Sequence, residues 1–128
     1  MKRILFMLML FALSCTFVQA AQVQNLSAPE ARQMLQQNKN TYLLDVRTPE
    51  EYLQVRIDGA HLIPIDKLMA RIDEIPKDRP LLIYCAVGSR SDLVSKYLVK
   101  QGFGQVYNLN GGIWAWQLRN YPTLQGAP

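Results

Sequence analysis

The stretch that decides the fold is LLIYCAVGSRSDLVSKYL, residues 81–98. Its four apolar residues at 81–84 predict a buried strand, and residues 91–98 predict a helix. Between them lies a short loop that begins at Cys85 and ends at Arg90. Backbone N–H groups converge between a strand end and a helix start, and the helix dipole is positive there, which favours a thiolate over a thiol.

The loop residues support a nucleophilic cysteine. Gly88 permits the tight turn that converging N–H groups need. Arg90 adds a permanent positive charge at the end of the loop. The predicted site consists of the nucleophile Cys85 and a substrate-binding loop of Ala86, Val87, Gly88, Ser89 and Arg90.

Outward from this loop, strand and helix patterns alternate. Capping boxes at 27–30 and 48–51 predict two helix starts. Further short strands are predicted at 42–46, 60–63 and 105–109, and a last helix at 113–118. Apolar strands that alternate with helices predict an α/β fold, with a mostly parallel sheet covered on both faces. Ligands bind such sheets at the carboxyl ends of the strands, where Cys85 lies.

Three local expectations complete this outline. Asp66 is predicted to cap a helix that runs through residues 68–72. The helix after the loop is predicted to bury Leu93, Val94, Tyr97 and Leu98 on one face, and Gly102 to end it. The tail at 122–128, with its small residues and prolines, is predicted to be loose.

Residues 1–20 have the pattern of a secretory signal peptide. Lys2 and Arg3 precede an apolar run at 4–13, and small side chains at 18–20 predict cleavage before Ala21. The alternatives are a retained membrane anchor, for which the run is short, and a lipoprotein anchored at Cys15. We expect export, to a bacterial periplasm, and a single mature domain at 21–128 with its core at about 25–121.

Composition and charge exclude several classes. The chain is 49% hydrophobic and 19% charged, which is ordinary for a globular protein. Removing the signal takes away Lys2 and Arg3 and no acidic residue, so the net charge falls from +4 to +2. Such a small charge argues against nucleic acid as a partner. Cys85 would then be the only cysteine, and an unpaired thiol in an oxidising compartment is either buried or used.

Four segments in register resemble the single-domain rhodaneses, a family of sulfurtransferases. They are LLDVRTPEEY at 43–52, IDGAHLIP at 57–64, YCAVGSRS at 84–91 and GGIWAW at 111–116. The resemblance covers nearly the whole mature chain. It implies an open, mostly parallel sheet of about five strands with helices on both faces.

The resemblance also implies a chemistry. The thiolate of Cys85 would take the outer sulfur of a donor such as thiosulfate and pass it from a persulfide to a thiophilic acceptor, cyanide in vitro. The loop N–H groups would hold the persulfide anion, and the two half-reactions predict ping-pong kinetics. The expected partners are a small sulfur donor and acceptor, or a protein thiol. No cofactor, no metal and no stable membrane insertion of the mature chain are expected.

Two other functions stay open. One is a rhodanese-like module that only binds or regulates, which would have no need of the free thiol at Cys85. The other is a cysteine-dependent phosphatase or arsenate reductase. Four residues separate Cys85 from Arg90, as in sulfurtransferases, whereas the related phosphatases have five.

Several residues have two interpretations. Asp45 and Arg47 follow a strand, and they are either a structural pair or part of an anion-attracting rim. Val55 and Arg56 stand where the family usually has Gly-His, and Arg56 is interpreted as a solvated surface residue or as added charge near the site. Ala86 and Val87 replace the basic residues of the best-known thiosulfate enzymes, which leaves the donor open.

Four further side chains are weaker candidates for the site. His61, the only histidine, is interpreted as a packed or surface residue, because a preformed thiolate needs no base. One His and one distant Cys do not make a zinc site. Trp114 and Trp116 are typical of core packing, although one could line the pocket. Ser89 either donates to the sulfur or shapes the turn.

Overall fold

The computed structural model describes residues 20–128. The predicted signal peptide, including Cys15, lies outside the described residues apart from Ala20. The strands within this range are β1 (Gln24–Leu26), β2 (Tyr42–Asp45), β3 (His61–Leu62), β4 (Leu81–Tyr84) and β5 (Val106–Leu109). The α-helices are α1 (Ala28–Gln37), α2 (Pro49–Gln54), α3 (Ser89–Lys100) and α4 (Gly112–Leu118).

The five strands form one open sheet in the order β1-β5-β4-β2-β3, and every neighbouring pair is parallel. The predicted fold class is therefore confirmed. The central strand β4 lies between β2 and β5, and all four of its residues are buried. Cys85 follows its carboxyl end directly.

Helices cover both faces of the sheet. Side chains alternate along each strand, so Leu44 and Ile83 face one way while Leu43 and Leu82 face the other. The first face packs against α3 through Val94 and Leu98. The second packs against α1 and α4. Cys85 belongs to the first cluster, so the thiol lies on the side of the sheet that α3 covers.

Both predicted capping boxes are confirmed. Ser27 accepts from the backbone of Glu30 while the Glu30 carboxylate accepts from Ser27. Thr48 and Glu51 make the same reciprocal pair at the start of α2. Each box satisfies N–H groups that a helix start leaves without partners.

The predicted helix at Asp66 is wrong. The segment forms two 3₁₀ turns, Ile65–Lys67 and Ile72–Glu74, and no side chain caps either turn. Only Leu68 of this stretch is buried, whereas Met69 is 73% exposed. With a single buried side chain across both turns, the segment lacks the continuous apolar face of a regular amphipathic helix.

Two further expectations need correction. Leu93 is 64% exposed, so the buried face of α3 consists of Ser91, Val94, Ser95 and Leu98. The tail is held in place, because Leu124 exchanges two backbone hydrogen bonds with Arg56 and Gly126 donates to Leu53. Gly102 ends α3 as predicted, with φ of +93°. Within residues 20–128, no helix is long and apolar enough to cross a membrane.

Candidate active site

The candidate nucleophile lies beneath its own loop. Cys85 is fully buried, and its Sγ atom accepts a hydrogen bond from the Gly88 N–H at 3.1 Å. The Ser91 hydroxyl lies 3.4 Å from Sγ and 3.2 Å from the Gly88 carbonyl oxygen, so its one proton is shared between these two acceptors. Gly88 has φ of +102°, in the left-handed region where a side chain is strained. That conformation turns its N–H back towards the sulfur. A sulfur donor therefore reaches Sγ only when loop side chains move aside.

The surroundings of Cys85 lower the pKa of its thiol. Burial on its own raises that pKa, because it disfavours the charged form. Hydrogen bonds from the Ser91 side chain, and then from the N–H groups of Ser91, Gly88 and Val87, outweigh burial and bring the pKa below its ordinary value. The first turn of α3 adds the positive end of a helix dipole. The arrangement therefore stabilises a thiolate in a buried place.

Ser91, which the sequence pattern did not single out, is the side-chain donor to the sulfur. Ser89, the residue considered for that role, is exposed at the first position of α3. Helical side chains lean towards the amino terminus of their helix. Ser91, two residues further into the first turn, is therefore the one whose hydroxyl reaches back to Cys85. The direction of helical side chains was therefore the signal that could have identified Ser91 from the sequence.

Arg90 makes a two-point ion pair with Glu51 of α2. Its Nη1 and Nη2 atoms lie 2.8 and 2.9 Å from the two carboxylate oxygens. The hydrogen bond from Arg90 lowers the pKa of Glu51 to about 2, against a smaller opposing effect of burial. The hydrogen bond to Glu51 raises the pKa of Arg90 in turn, and the negative charge of the Cys85 thiolate adds to this effect. Arg90 thus joins the loop to α2 while its charge faces the site.

Asp45 and Arg47 form a buried ion pair. The Arg47 Nη2 and Asp45 Oδ2 atoms lie 2.7 Å apart, and 2% and 0% of the two side chains are exposed. Arg47 also donates to the carbonyls of Glu51 and Val55. Its donors are occupied and turned away from solvent. The geometry favours the structural interpretation over an anion-attracting rim.

Arg56 is buried, not solvated as expected. Only 5% of it is exposed, and its guanidinium lies 4.7 Å from the centroid of the Tyr52 ring. It donates to the carbonyls of Tyr52 and Gly126. Arg56 joins the tail to α2. This role is structural, and it differs from both predicted roles, a solvated surface residue and an added charge near the site.

The remaining aromatic candidates lie in different environments. The His61 ring stacks on Tyr42 at 4.3 Å and is exposed, in line with a surface residue. Trp116 packs in the core and donates to the Pro122 carbonyl. Trp114 is 59% exposed, so the core expectation is wrong for this residue. Among residues 20–128 no group of three metal-ligating side chains occurs.

The last helix is docked on the loop, a contact the sequence analysis did not foresee. The N–H groups of Ile113 and Trp114 donate to the carbonyls of Cys85 and Ala86 at 2.9 and 3.1 Å. Gly112 makes this approach possible, since a Cβ atom there would lie 2.6 Å from the Cys85 carbonyl oxygen and closer still to Ala86. The start of α4 therefore holds the carbonyl groups of the loop in place. The N–H groups of the same loop face the sulfur of Cys85.

A parallel α/β sheet with a low-pKa cysteine in a strand–loop–helix turn defines a class of proteins that form covalent intermediates on sulfur. The Rhodanese-like domain family matches residues 27–119, and the chain belongs to that family. A sulfurtransferase of Allochromatium vinosum is 40% identical over 102 residues, which cover 80% of this chain and 95% of the relative. These findings support rhodanese-type sulfur transfer as the general activity.

Two further comparisons agree. The thiosulfate sulfurtransferase GlpE of Vibrio cholerae is 30% identical over 92 residues, covering 72% of this chain and 87% of that protein. The crystal structure of a rhodanese-related protein from Thermoplasma volcanium aligns with a TM-score of 0.72 at 28% identity. That alignment covers 79% of this chain and 97% of the other.

Proposed function

We propose that the protein transfers sulfane sulfur through a persulfide on Cys85, with thiosulfate as a donor. The observation that carries the proposal is the pair of donors, the Gly88 N–H and the Ser91 hydroxyl, on a single buried sulfur. Groups that stabilise a thiolate also stabilise the terminal anion of a persulfide. The relative from Vibrio cholerae, a thiosulfate sulfurtransferase, supports the choice of donor.

The reaction has two displacements. The Cys85 thiolate attacks the outer sulfur of thiosulfate, a new S–S bond forms, and the old S–S bond breaks as sulfite leaves with its electron pair. A nucleophilic acceptor, cyanide in the usual assay, then attacks the outer sulfur of the persulfide. Thiocyanate leaves and the Cys85 thiolate is restored. No net oxidation and no general base are needed, because both nucleophiles react as anions.

A protein thiol is the acceptor that the surface around the site favours. Both cations near the loop are paired, Arg90 with Glu51 and Arg47 with Asp45. Val87, at the top of the loop, is 60% exposed. Trp114, whose backbone is bonded to the loop, is 59% exposed. We infer that a partner protein packs against this exposed apolar surface when its thiol approaches the loop.

Intact-mass measurement with and without thiosulfate tests the proposal. Thiosulfate should add the mass of one sulfur atom to the wild-type chain, and cyanide should remove it. Cys85→Ser should gain no sulfur and form no thiocyanate, with an unchanged circular dichroism spectrum, because oxygen forms no stable persulfide. A wild-type chain that never gains sulfur would point to the binding-module alternative. Wild-type rates in Cys85→Ser would remove Cys85 from the mechanism.

We also propose export to a bacterial periplasm, on the sequence pattern of residues 1–20. Amino-terminal sequencing of the exported form should begin at Ala21. A lipid on Cys15 at the mature end would overturn this and establish a membrane-anchored form.

A further inference from the structure

A cleft lies at the edge of the sheet opposite Cys85. Thr41 directly precedes β2, His61 begins β3 and Arg79 stands shortly before β4, whereas Cys85 follows the carboxyl end of β4. These first three residues line one cleft of about 550 Å³. Small-molecule sites commonly have volumes of about 300–1,000 Å³. The cleft is thus large enough for an organic ligand and separate from the sulfur chemistry.

The floor of the cleft is apolar and fixed. Leu43, Ile57 and Trp116 line it, and each is at most 3% exposed. All three belong to the core cluster between the sheet, α1 and α4. Close-packed core side chains do not rearrange freely. The floor is therefore a preformed surface for the apolar body of a ligand.

The rim of the cleft is cationic. Arg32, Lys39 and Arg79 line it, against a single carboxylate, Asp58. None of these three cations takes part in an ion pair within residues 20–128. By contrast, the cations beside Cys85 are neutralised by carboxylates. Three cations without an ion pair in the described range therefore lie together at this cleft.

Within the described residues, contacts with neighbouring groups hold the two arginines in place and leave their terminal nitrogens free to bind a ligand. The Arg32 guanidinium lies 4.4 Å from the centroid of the Tyr121 ring. Arg79 lies 5.3 Å from the Tyr42 ring centroid, and its Nε donates to the Asn40 carbonyl at 2.8 Å. The terminal nitrogens of both arginines have no acceptor in the described part of the chain. Held guanidinium groups bind carboxylates with a smaller loss of conformational freedom.

Thr41 provides a second, independent sign of a ligand. The residue is 9% exposed and lines the cleft, and its Oγ1 atom has no hydrogen-bond partner among residues 20–128. A buried hydroxyl without a partner is unfavourable. A polar group of a bound molecule would complete it.

We propose that this cleft binds a small organic acid with an apolar body and at least two acidic groups. The body lies on the floor formed by Leu43, Ile57 and Trp116, and the acidic groups bind at Arg32 and Arg79. This site is a binding function beyond sulfur transfer, and it uses no residue of the Cys85 loop.

The test is calorimetric titration of the purified protein with naphthalene-2,6-dicarboxylate, and with naphthalene-2,6-dimethanol as its uncharged counterpart. The diacid should bind at least about tenfold more tightly than the diol, as expected when charge-assisted hydrogen bonds are made. Arg79→Gln and Arg32→Gln should each weaken diacid binding by about tenfold. Lys39→Gln alters an exposed side chain, and it should weaken diacid binding by a smaller factor.

Matched control variants test whether the diacid binds in this cleft. Arg119→Gln removes an exposed cation outside the cleft and should leave diacid affinity unchanged, as should Cys85→Ser. The proposal is overturned if the diacid does not bind, if the diol binds equally well, or if the Arg32, Lys39 and Arg79 variants all bind like the wild type. Each of these outcomes leaves sulfur transfer at Cys85 unaffected.

Discussion

At the scale of single residues, burial and hydrogen bonding act on Cys85 in opposite directions. A fully buried thiol resists ionisation, because a thiolate loses its hydration. The Ser91 hydroxyl and the loop N–H groups replace that hydration with fixed donors, and the pKa of Cys85 falls below its ordinary value. The reactivity of the cysteine should therefore depend on individual donors.

Ser91→Ala should raise the pKa of the Cys85 thiol. The variant removes the side chain that contributes most to lowering it, while the backbone donors remain. A hydrogen bond to a charged group contributes about 1.5–3 kcal/mol, so we expect alkylation of Cys85 by iodoacetamide at neutral pH to slow by roughly tenfold. The rate–pH profile should move to higher pH, because a larger fraction of the thiol is protonated.

Ser95→Ala is the matched control. Its hydroxyl is equally buried and lies one turn further along α3, where it donates to the Ser91 carbonyl at 2.7 Å and does not contact the sulfur. This variant should keep the wild-type alkylation profile. Equal shifts in the two variants would mean that helix stability, and not a donor to sulfur, sets the pKa.

A pair of variants separates two effects of Arg90. Arg90→Ala and Glu51→Gln both break the ion pair, and each should lower the melting temperature by up to about 6 °C, as expected for a partly exposed pair. Only Arg90→Ala removes the positive charge. It should raise the pKa of Cys85, whereas Glu51→Gln should leave that pKa unchanged or lower it.

Alkylation rate against pH, measured beside thermal unfolding, checks this prediction. Arg90→Lys should recover part of the loss, because lysine keeps the charge but loses the planar fork of donors. If Arg90→Ala and Glu51→Gln give the same rate–pH profile as wild type and both unfold earlier, Arg90 has a structural role only.

At the scale of elements, α4 supports the loop from its carbonyl side. Gly112, at the helix start, has φ of +61° and faces two loop carbonyls with no room for a Cβ atom. We expect Gly112→Ala to reduce the free energy of unfolding by about 2–4 kcal/mol, from backbone strain and overpacking. Because the loop must shift, sulfur transfer should fall as well.

Gly104→Ala provides the comparison. No atom lies within 4 Å of a Cβ placed there, and its φ is outside the left-handed region. The free energy of unfolding of Gly104→Ala should change by less than about 1 kcal/mol, because the substitution acts mainly by reducing the conformational entropy of the unfolded chain. Urea unfolding of the two variants decides the matter. A neutral Gly112→Ala would show that α4 is not tightly docked on the loop.

Elements with a strong local signal could be predicted from the sequence, and the others could not. The strand at 81–84 and the capping boxes at Ser27 and Thr48 depend on residues that are close in sequence, so the sequence predicts them. Strand β1 was missed because its three residues are polar or half-exposed and pair only with β5. The 3₁₀ turns at Ile65–Lys67 and Ile72–Glu74 were mistaken for a helix, because residue spacing alone does not reveal which side chains the fold buries.

At the scale of the whole molecule, the two edges of the sheet have different charge. At the carboxyl edge, Arg47 and Arg90 are both paired with carboxylates. At the opposite edge, Arg32 and Arg79 are unpaired within residues 20–128. The position of Cys85 could be predicted, because the strand–loop–helix pattern is local. The ion pairs could not, because Glu51 and Arg90 are 39 residues apart and meet only through the fold.

The tail is a whole-molecule feature for the same reason. Arg56 and Leu124 are distant in sequence, and nothing near either residue predicts that they exchange backbone hydrogen bonds. A buried arginine with acceptors at Tyr52 and Gly126 shows that residues after 122 belong to the packed structure. The tail should therefore contribute to stability.

Truncation after residue 123 should destabilise the protein by about 1–3 kcal/mol. It removes the two backbone hydrogen bonds between Arg56 and Leu124, and it leaves the Arg56 guanidinium without the Gly126 carbonyl. Truncation after residue 126 keeps all of these contacts and should be neutral. Urea unfolding of both chains measures the difference, and Arg56→Ala should reproduce only the part that depends on the guanidinium, because it keeps the backbone bonds to Leu124. If both truncated chains unfold with the wild-type midpoint, the tail contacts contribute nothing, and Arg56 is buried without a stabilising role.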